Sequence, residues 1–307
     1  MTADRCLCRK SPEAIRPASW PALSAVYGTF LQWALRTVRF LVCCAIAVWT
    51  TAAPAPQSKP LLDAGFHLMY ELNFDAARVE IGAHELAHPG DPLGPAARAA
   101  SYLFEQFDQK GVLSSAFFLD DERLLGGVEG AADEKLNAAF LEANQIARKM
   151  AESIVRKSPS DRDGLLVLTL TDGMQGDFQA LIEKRQLASL SLIRRAEKNA
   201  QRLLKVDPDA CDAYLALGVG NYIIGSLPAY KRVFLWFGGI QGDRKRGMEQ
   251  LRVAAIRGHY LRPLAKAMLA LAAIRERQPD LARSLFADLN REYPENKVFA
   301  RELSLLQ

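Results

Sequence analysis

Apolar residues recur along this chain at three- and four-residue steps. Leu192, Ala196, Leu203 and Leu204 share one helical face, and Leu251, Ala254, Ala255 and Gly258 share another. That period buries one stripe of an amphipathic helix. No stretch shows the strict alternation between turn residues that marks a half-buried strand, so the pattern predicts an all-α chain. The helix ends are punctuated regularly, as His88-Pro89-Gly90-Asp91, Ser158-Pro159-Ser160-Asp161, Asp207-Pro208-Asp209 and Tyr293-Pro294-Glu295-Asn296. A proline stops a helix because it lacks an N–H and clashes with the preceding turn.

Small residues stand in register with these stops. Ala77, Ala147, Ala196 and Ala282 each precede a proline by twelve positions, and Gly65 and Ala270 lie twelve before Ala77 and Ala282. Two antiparallel helices approach closely only where neither carries bulk at the crossing. The spacing therefore predicts helix hairpins repeated along the chain.

Counting forward from Pro208 in a frame of about 34 residues puts Tyr214, Leu217 and Gly218 at aromatic, leucine and glycine positions. This resembles the tetratricopeptide (TPR) repeat, in about five degenerate copies from Leu61 to Asn296. The resemblance implies a right-handed superhelical stack of antiparallel helix hairpins, a TPR-like α-solenoid, over residues 61–307. Insertions are expected near 111–130 and 225–243. A third hairpin is also lengthened, because Thr169 and Ala196 are 27 apart instead of twelve. They imply longer helices or extra elements at one edge of the stack. As a whole the chain is similar to exported TPR-type proteins of bacteria.

Mapping that frame places Phe66, Met69 and Tyr70, then Leu166, Leu170 and Met174, then Val219 and Tyr222 on the inner face. Such a groove of methionines and aromatics suits a helix or an extended peptide. The alternative is that several of them are ordinary inter-helix core. The function expected is a non-enzymatic scaffold or adaptor for a protein or peptide, with no cofactor.

The first sixty residues form a separate region. Residues 1–35 mix prolines, basic and apolar residues without a period and read as a disordered leader. Arg36 and Arg39 precede an apolar run of ten, Phe40 to Trp49, and a small-residue exit through Pro56. Those are the parts of a secretory signal over 36–56. A retained membrane anchor is the second reading, although the run is short for a span of about 20 residues. Either places the protein in the periplasm or beyond, or at the inner membrane. Residues 1–53 carry six basic and two acidic residues of the chain's 39 and 35, so 33 of each sign remain. The basic pI thus gives no reason to expect nucleic acid. Cys6, Cys8, Cys43 and Cys44 also lie within residues 1–53, which leaves Cys211 alone beyond them.

One motif points to other chemistry. His84-Glu85-Leu86-Ala87-His88 matches H-E-x-x-H, in which two histidines bind zinc and the glutamate activates water. Glu105 or Asp108 is a conceivable third ligand. Against a zinc peptidase, Pro89 biases His88 out of helical geometry, and no strands accompany the motif. Gly238-Gly239-Ile240-Gln241-Gly242 follows no strand and lacks the ending of a phosphate loop, so it reads as a turn. Asp161 and Asp163 are placed to cap the helix over Leu165–Leu170. Finally, Lys231 and Arg232 beside Tyr230, Phe234 and Trp236 make a basic–aromatic segment within 225–239. It suits a partner or a membrane interface, or it fills the interior of the stack.

Overall fold

A computed structural model describes residues 59–130, 133–227 and 241–307, and all regular structure in them is helical. The expectations for the leader at 1–56 and for Tyr230, Phe234 and Trp236 lie outside the described residues. None of the described helices is long and apolar enough to cross a membrane.

Five sequential hairpins and a final helix make up the described chain. Helices α1 (Pro60–Tyr70) and α2 (Phe74–Ala87) form the first. Helix α3 (Leu93–Gln109) pairs with α6 (Glu134–Lys157), and two short helices, α4 (Ser115–Phe118) and α5 (Asp121–Gly126), are inserted between them. Helix α7 (Arg162–Asp177) runs through a π-helical turn at Phe178–Ile182 into the long α8 (Gln186–Val206). Then come α9 (Ala213–Ser226) with α10 (Arg244–Arg257), and α11 (Arg262–Arg275) with α12 (Pro279–Glu292). Helix α13 (Lys297–Ser304) packs on α12. The lengthened hairpins use both devices, inserted elements in the second and a π-turn with a longer helix in the third.

Each first helix packs on its own partner and on the first helix of the next hairpin: α1 on α3, α3 on α7, α7 on α9, α9 on α11. These five form an inner layer, with α2, α6, α8, α10 and α12 behind it. The small residues sit where the spacing puts them. A Cβ on Gly218 would lie 2.9 Å from the Leu251 amide nitrogen and 3.1 Å from the Gly247 carbonyl, and one on Gly247 would lie 2.6 Å from the Tyr222 nitrogen. The backbones of α9 and α10 therefore touch, and only glycine fits between them. Ala77 and Ala282 are fully buried in the corresponding contacts of the first and fifth hairpins.

Caps fix where the helices begin. The Asp161 carboxylate accepts from the Gly164 N–H at 2.8 Å, and Asn296 accepts from Val298 and Phe299. Asp163 does not cap α7: it lies inside the first turn, and its side chain pairs with Lys59.

Candidate functional site

The inner layer is not an open groove. Helix α1 turns back onto the last hairpins through side chains that the sequence pattern does not connect. The Phe66 and Tyr260 rings lie 4.7 Å apart, and the Tyr70 hydroxyl donates to the Tyr260 carbonyl at 3.0 Å. Asn296 donates to the Tyr70 carbonyl at 2.6 Å, and the Glu295 N–H donates to Glu71 at 2.8 Å. His259 meets Asp63 at 3.0 Å. First and last hairpins thus join, and the inner helices surround a lumen.

Polar chemistry gathers where the inner helices begin. Lys59 bridges Asp91 at 2.7 Å and Asp163 at 3.3 Å, tying α1 to the starts of α3 and α7. Burial pushes the Asp91 carboxyl up, but Lys59, the Leu93 N–H and His84 outweigh it and hold the group below the usual carboxylate range. Arg162 pairs with Asp207. Asp212, just before α9, is buried and accepts from the N–H groups of His259, Tyr260 and Leu261 at 2.8–3.2 Å. One carboxylate therefore staples the fourth hairpin to the fifth.

The lumen itself is apolar. It offers about 230 Å³ to the centres of water molecules, and its wall draws on all five inner helices and on the 111–130 insertion. Phe66, Met69, Leu166, Leu170, Met174 and Val219 line it. Tyr70 and Tyr222 do not. Tyr70 is consumed by the ring closure, and the buried Tyr222 donates to the Ala272 carbonyl at 3.2 Å in the α9–α11 contact. Sequence reasoning missed Phe104, Phe117, Leu264 and Met268 on the same wall. Phe117 belongs to the insertion, which has no place in the repeat frame. Leu264 and Met268 stand in α11 at the i, i+4 spacing of Leu166 and Leu170 in α7, a signal the frame did carry.

The insertion reaches across the structure where the inner helices end. Arg275 at the end of α11 donates to the Phe118 carbonyl at 3.1 Å and pairs with Asp121, and Val128 donates to the Leu181 carbonyl at 2.8 Å. At this end Asp177 lines the lumen with an exposed side chain, and the protein around it disfavours its charged form. That environment lifts its carboxyl to about 7. Its side chain makes no hydrogen bond or ion pair among the described residues.

The H-E-x-x-H residues are committed elsewhere. His84 is buried with Nε2 2.9 Å from Asp91, and Glu85 takes Arg98 Nε at 3.0 Å on both oxygens. His88 caps α2 with non-helical backbone angles, as Pro89 requires. Glu105 receives Arg78. Among the described residues no three His, Cys, Asp or Glu side chains converge on a metal-sized site. Cys211 is buried just ahead of α9.

No family model matches the chain, and no curated protein matches it. Among solved structures, a thermophilic TPR protein from Thermus thermophilus is similar, with 14% sequence identity and a TM-score of 0.43. The similarity covers 80% of this chain and 96% of that one.

Proposed function

We propose that the chain works by binding rather than by catalysis, as a helical-repeat scaffold or adaptor for a protein or peptide partner in the cell envelope. The observation that carries this reading is the architecture itself: hairpins stacked into one continuous surface, with His84 and Glu85 of the H-E-x-x-H motif held by Asp91 and Arg98. Because the inner face is enclosed, a folded partner meets the outer layer. There Val79 and Leu86, seven residues apart on α2, expose 70% and 86% of their surface. The envelope location rests on the sequence alone, on Arg36 and Arg39 ahead of the apolar run from Phe40 to Trp49.

Cross-linking in intact cells, followed by affinity capture of the full chain, tests the reading. The expected result is one partner enriched over a control, with cross-links on the outer helices and capture weakened in Val79→Asp, Leu86→Asp. A zinc-dependent hydrolysis that disappears in His84→Ala, His88→Ala, with no partner captured, would favour the peptidase instead. Carbonate washing of the membrane fraction separates a released protein from an anchored adaptor.

A further inference from the structure

Charge is unevenly shared among the outer helices. Helices α6, α8 and α10 carry fifteen basic and five acidic residues between them, a net charge of +10. The outer helices of the first and last hairpins, α2 and α12, carry three basic and six acidic ones, a net charge of −3. The three basic helices are neighbours. Arg148 of α6 and Arg195 of α8 meet at the buried carboxylate of Asp172, the first at 3.3 Å. Arg202 of α8 donates to the Pro159 carbonyl beyond α6 at 3.0 Å, and Arg257 of α10 reaches Asp209 beyond α8 at 2.6 Å. Much of the remaining charge is exposed. On α8, Arg194, Lys198 and Lys205 form one exposed stripe. Lys149 and Arg156 do so on α6, and Lys245 and Arg252 on α10. Lys149, Lys198, Lys205 and Arg252 make no ion pair among the described residues.

Such a face is costly for the fold alone. Arg194, Lys198 and Arg202 follow one another at i, i+4 spacing, and like charges so placed repel. An anionic surface laid against the face relieves that repulsion. The apolar residues on the same stripes say which kind of surface. Leu187 at the start of α8 and Ile256 at the end of α10 expose 74% and 70% of their surface, and Ile146 on α6 exposes 45%. Exposed aliphatic side chains among basic ones suit a bilayer: its headgroups take the cations, and the edge of its acyl region takes the aliphatics. A single strand of nucleic acid needs aromatic platforms for its bases, and no Phe, Tyr or Trp is exposed among the described residues. We infer that the outer face of α6, α8 and α10 docks on the anionic headgroups of a phospholipid membrane. Val79 and Leu86 stand on α2, outside this face, so the inference does not rest on the protein-binding reading.

Contact of this face with lipid can be read directly, whatever else tethers the chain. A polarity-sensitive dye is attached to the full chain at Leu187→Cys, Ile256→Cys or Leu86→Cys, with the native cysteines replaced by serine. Each protein is titrated with vesicles of equal parts phosphatidylglycerol and phosphatidylcholine, or of phosphatidylcholine alone. The anionic vesicles should shift the emission at residue 187 or 256 to the blue and leave residue 86 unchanged. The shift should fall when salt rises from about 0.1 M to about 1 M, which shortens the screening length from about 10 Å to about 3 Å. Each basic residue at an anionic leaflet strengthens binding about fivefold. Lys149→Glu, Lys198→Glu, Arg252→Glu together should therefore demand about a hundredfold more lipid for the same shift. Arg283→Glu, Arg291→Glu, Lys297→Glu changes the net charge equally, on exposed residues of α12 and α13, and should behave as the wild type does. The proposal is overturned if neither residue 187 nor residue 256 responds, or if residue 86 responds as strongly. It is also overturned if the first triple variant needs no more lipid than the second. Binding of an oligonucleotide or an acidic protein, with no dye response to vesicles, would assign the face to that polyanion instead.

Discussion

Where the inner helices begin, polar groups have partners: Lys59 with Asp91 and Asp163, Arg162 with Asp207, His259 with Asp63, and Asp212 with three N–H groups. Where they end, Gln106 in the last turn of α3 is fully buried with neither side-chain oxygen nor nitrogen paired, and Asp177 faces the lumen unpaired. The first end is a network that fixes how the hairpins sit on one another. The second carries the insertions, and there the unpaired burial of Gln106 costs stability. A chain under selection for stability alone would not keep Gln106 buried and unpaired.

The largest expected effect comes from the first end. Asp212→Ala leaves three N–H groups of the α10–α11 turn without their acceptor, and an unsatisfied buried group costs about 1–3 kcal/mol. The loss expected in denaturant unfolding is about 3 kcal/mol or more, with part recovered in Asp212→Asn. A loss below about 1 kcal/mol would mean that the turn rearranges and the staple is dispensable.

The helix crossings come next. Gly218→Ala inserts a methyl against the backbone of Leu251 and Gly247, an overpacking cost of about 1–3 kcal/mol. On an exposed helix the same change would stabilise by about 1 kcal/mol. The sign of the shift in melting temperature therefore decides whether α9 and α10 cross there. Ala282→Leu, fully buried against α11, should destabilise as well.

Smaller effects of opposite sign belong to the second end. Gln106→Met removes both unpaired polar atoms at nearly constant shape, and a gain of about 1 kcal/mol is expected. An unchanged or lower stability would show that Gln106 has a partner in solution, such as a buried water. For Asp177 the pH dependence carries the sign. Its carboxyl titrates near 7 in the folded chain and near 4 in an unfolded one, as an ordinary aspartate does. The folded chain thus binds more protons between those values, and stability from this group falls as pH rises from about 4 to about 7. Asp177→Asn should gain on the wild type steadily across that window and hold the gain above it. Parallel curves for the two proteins would place Asp177 in open solvent.

The fold was legible wherever local chemistry decides it. Prolines after Ala77, Ala147, Ala196 and Ala282 fix helix ends and crossings by local chain geometry, and the structure has its helix ends and close contacts there. The frame named residues such as Leu166 and Leu170, which share a face because they stand at i and i+4 on a first helix, and both line the lumen. What it could not find was closure. Phe66 and Tyr260 are nearly two hundred residues apart, and no periodicity encodes their contact. The insertion was legible as extra residues but not as wall, since long-range contacts such as Arg275 with Phe118 and Asp121 hold Phe117 and Phe118 at the lumen. Closure is what turns a groove into a lumen, so the missing contact was also the one that changes the functional reading.

Closure is therefore the claim to measure. Spin labels at His67→Cys on α1 and Glu295→Cys before α13, with the native cysteines replaced by serine, report the separation of the first and last hairpins by pulsed electron resonance. Residue 67 lies beside Tyr293, with ring centroids 5.1 Å apart. The closed arrangement predicts one narrow distance distribution below about 20 Å, the span of two neighbouring helices at about 10 Å each. An open stack of five hairpins, with α1 and α11 separated by four helix spacings, would give about 40 Å instead. That longer distance, or a broad distribution reaching it, would contradict the enclosed lumen.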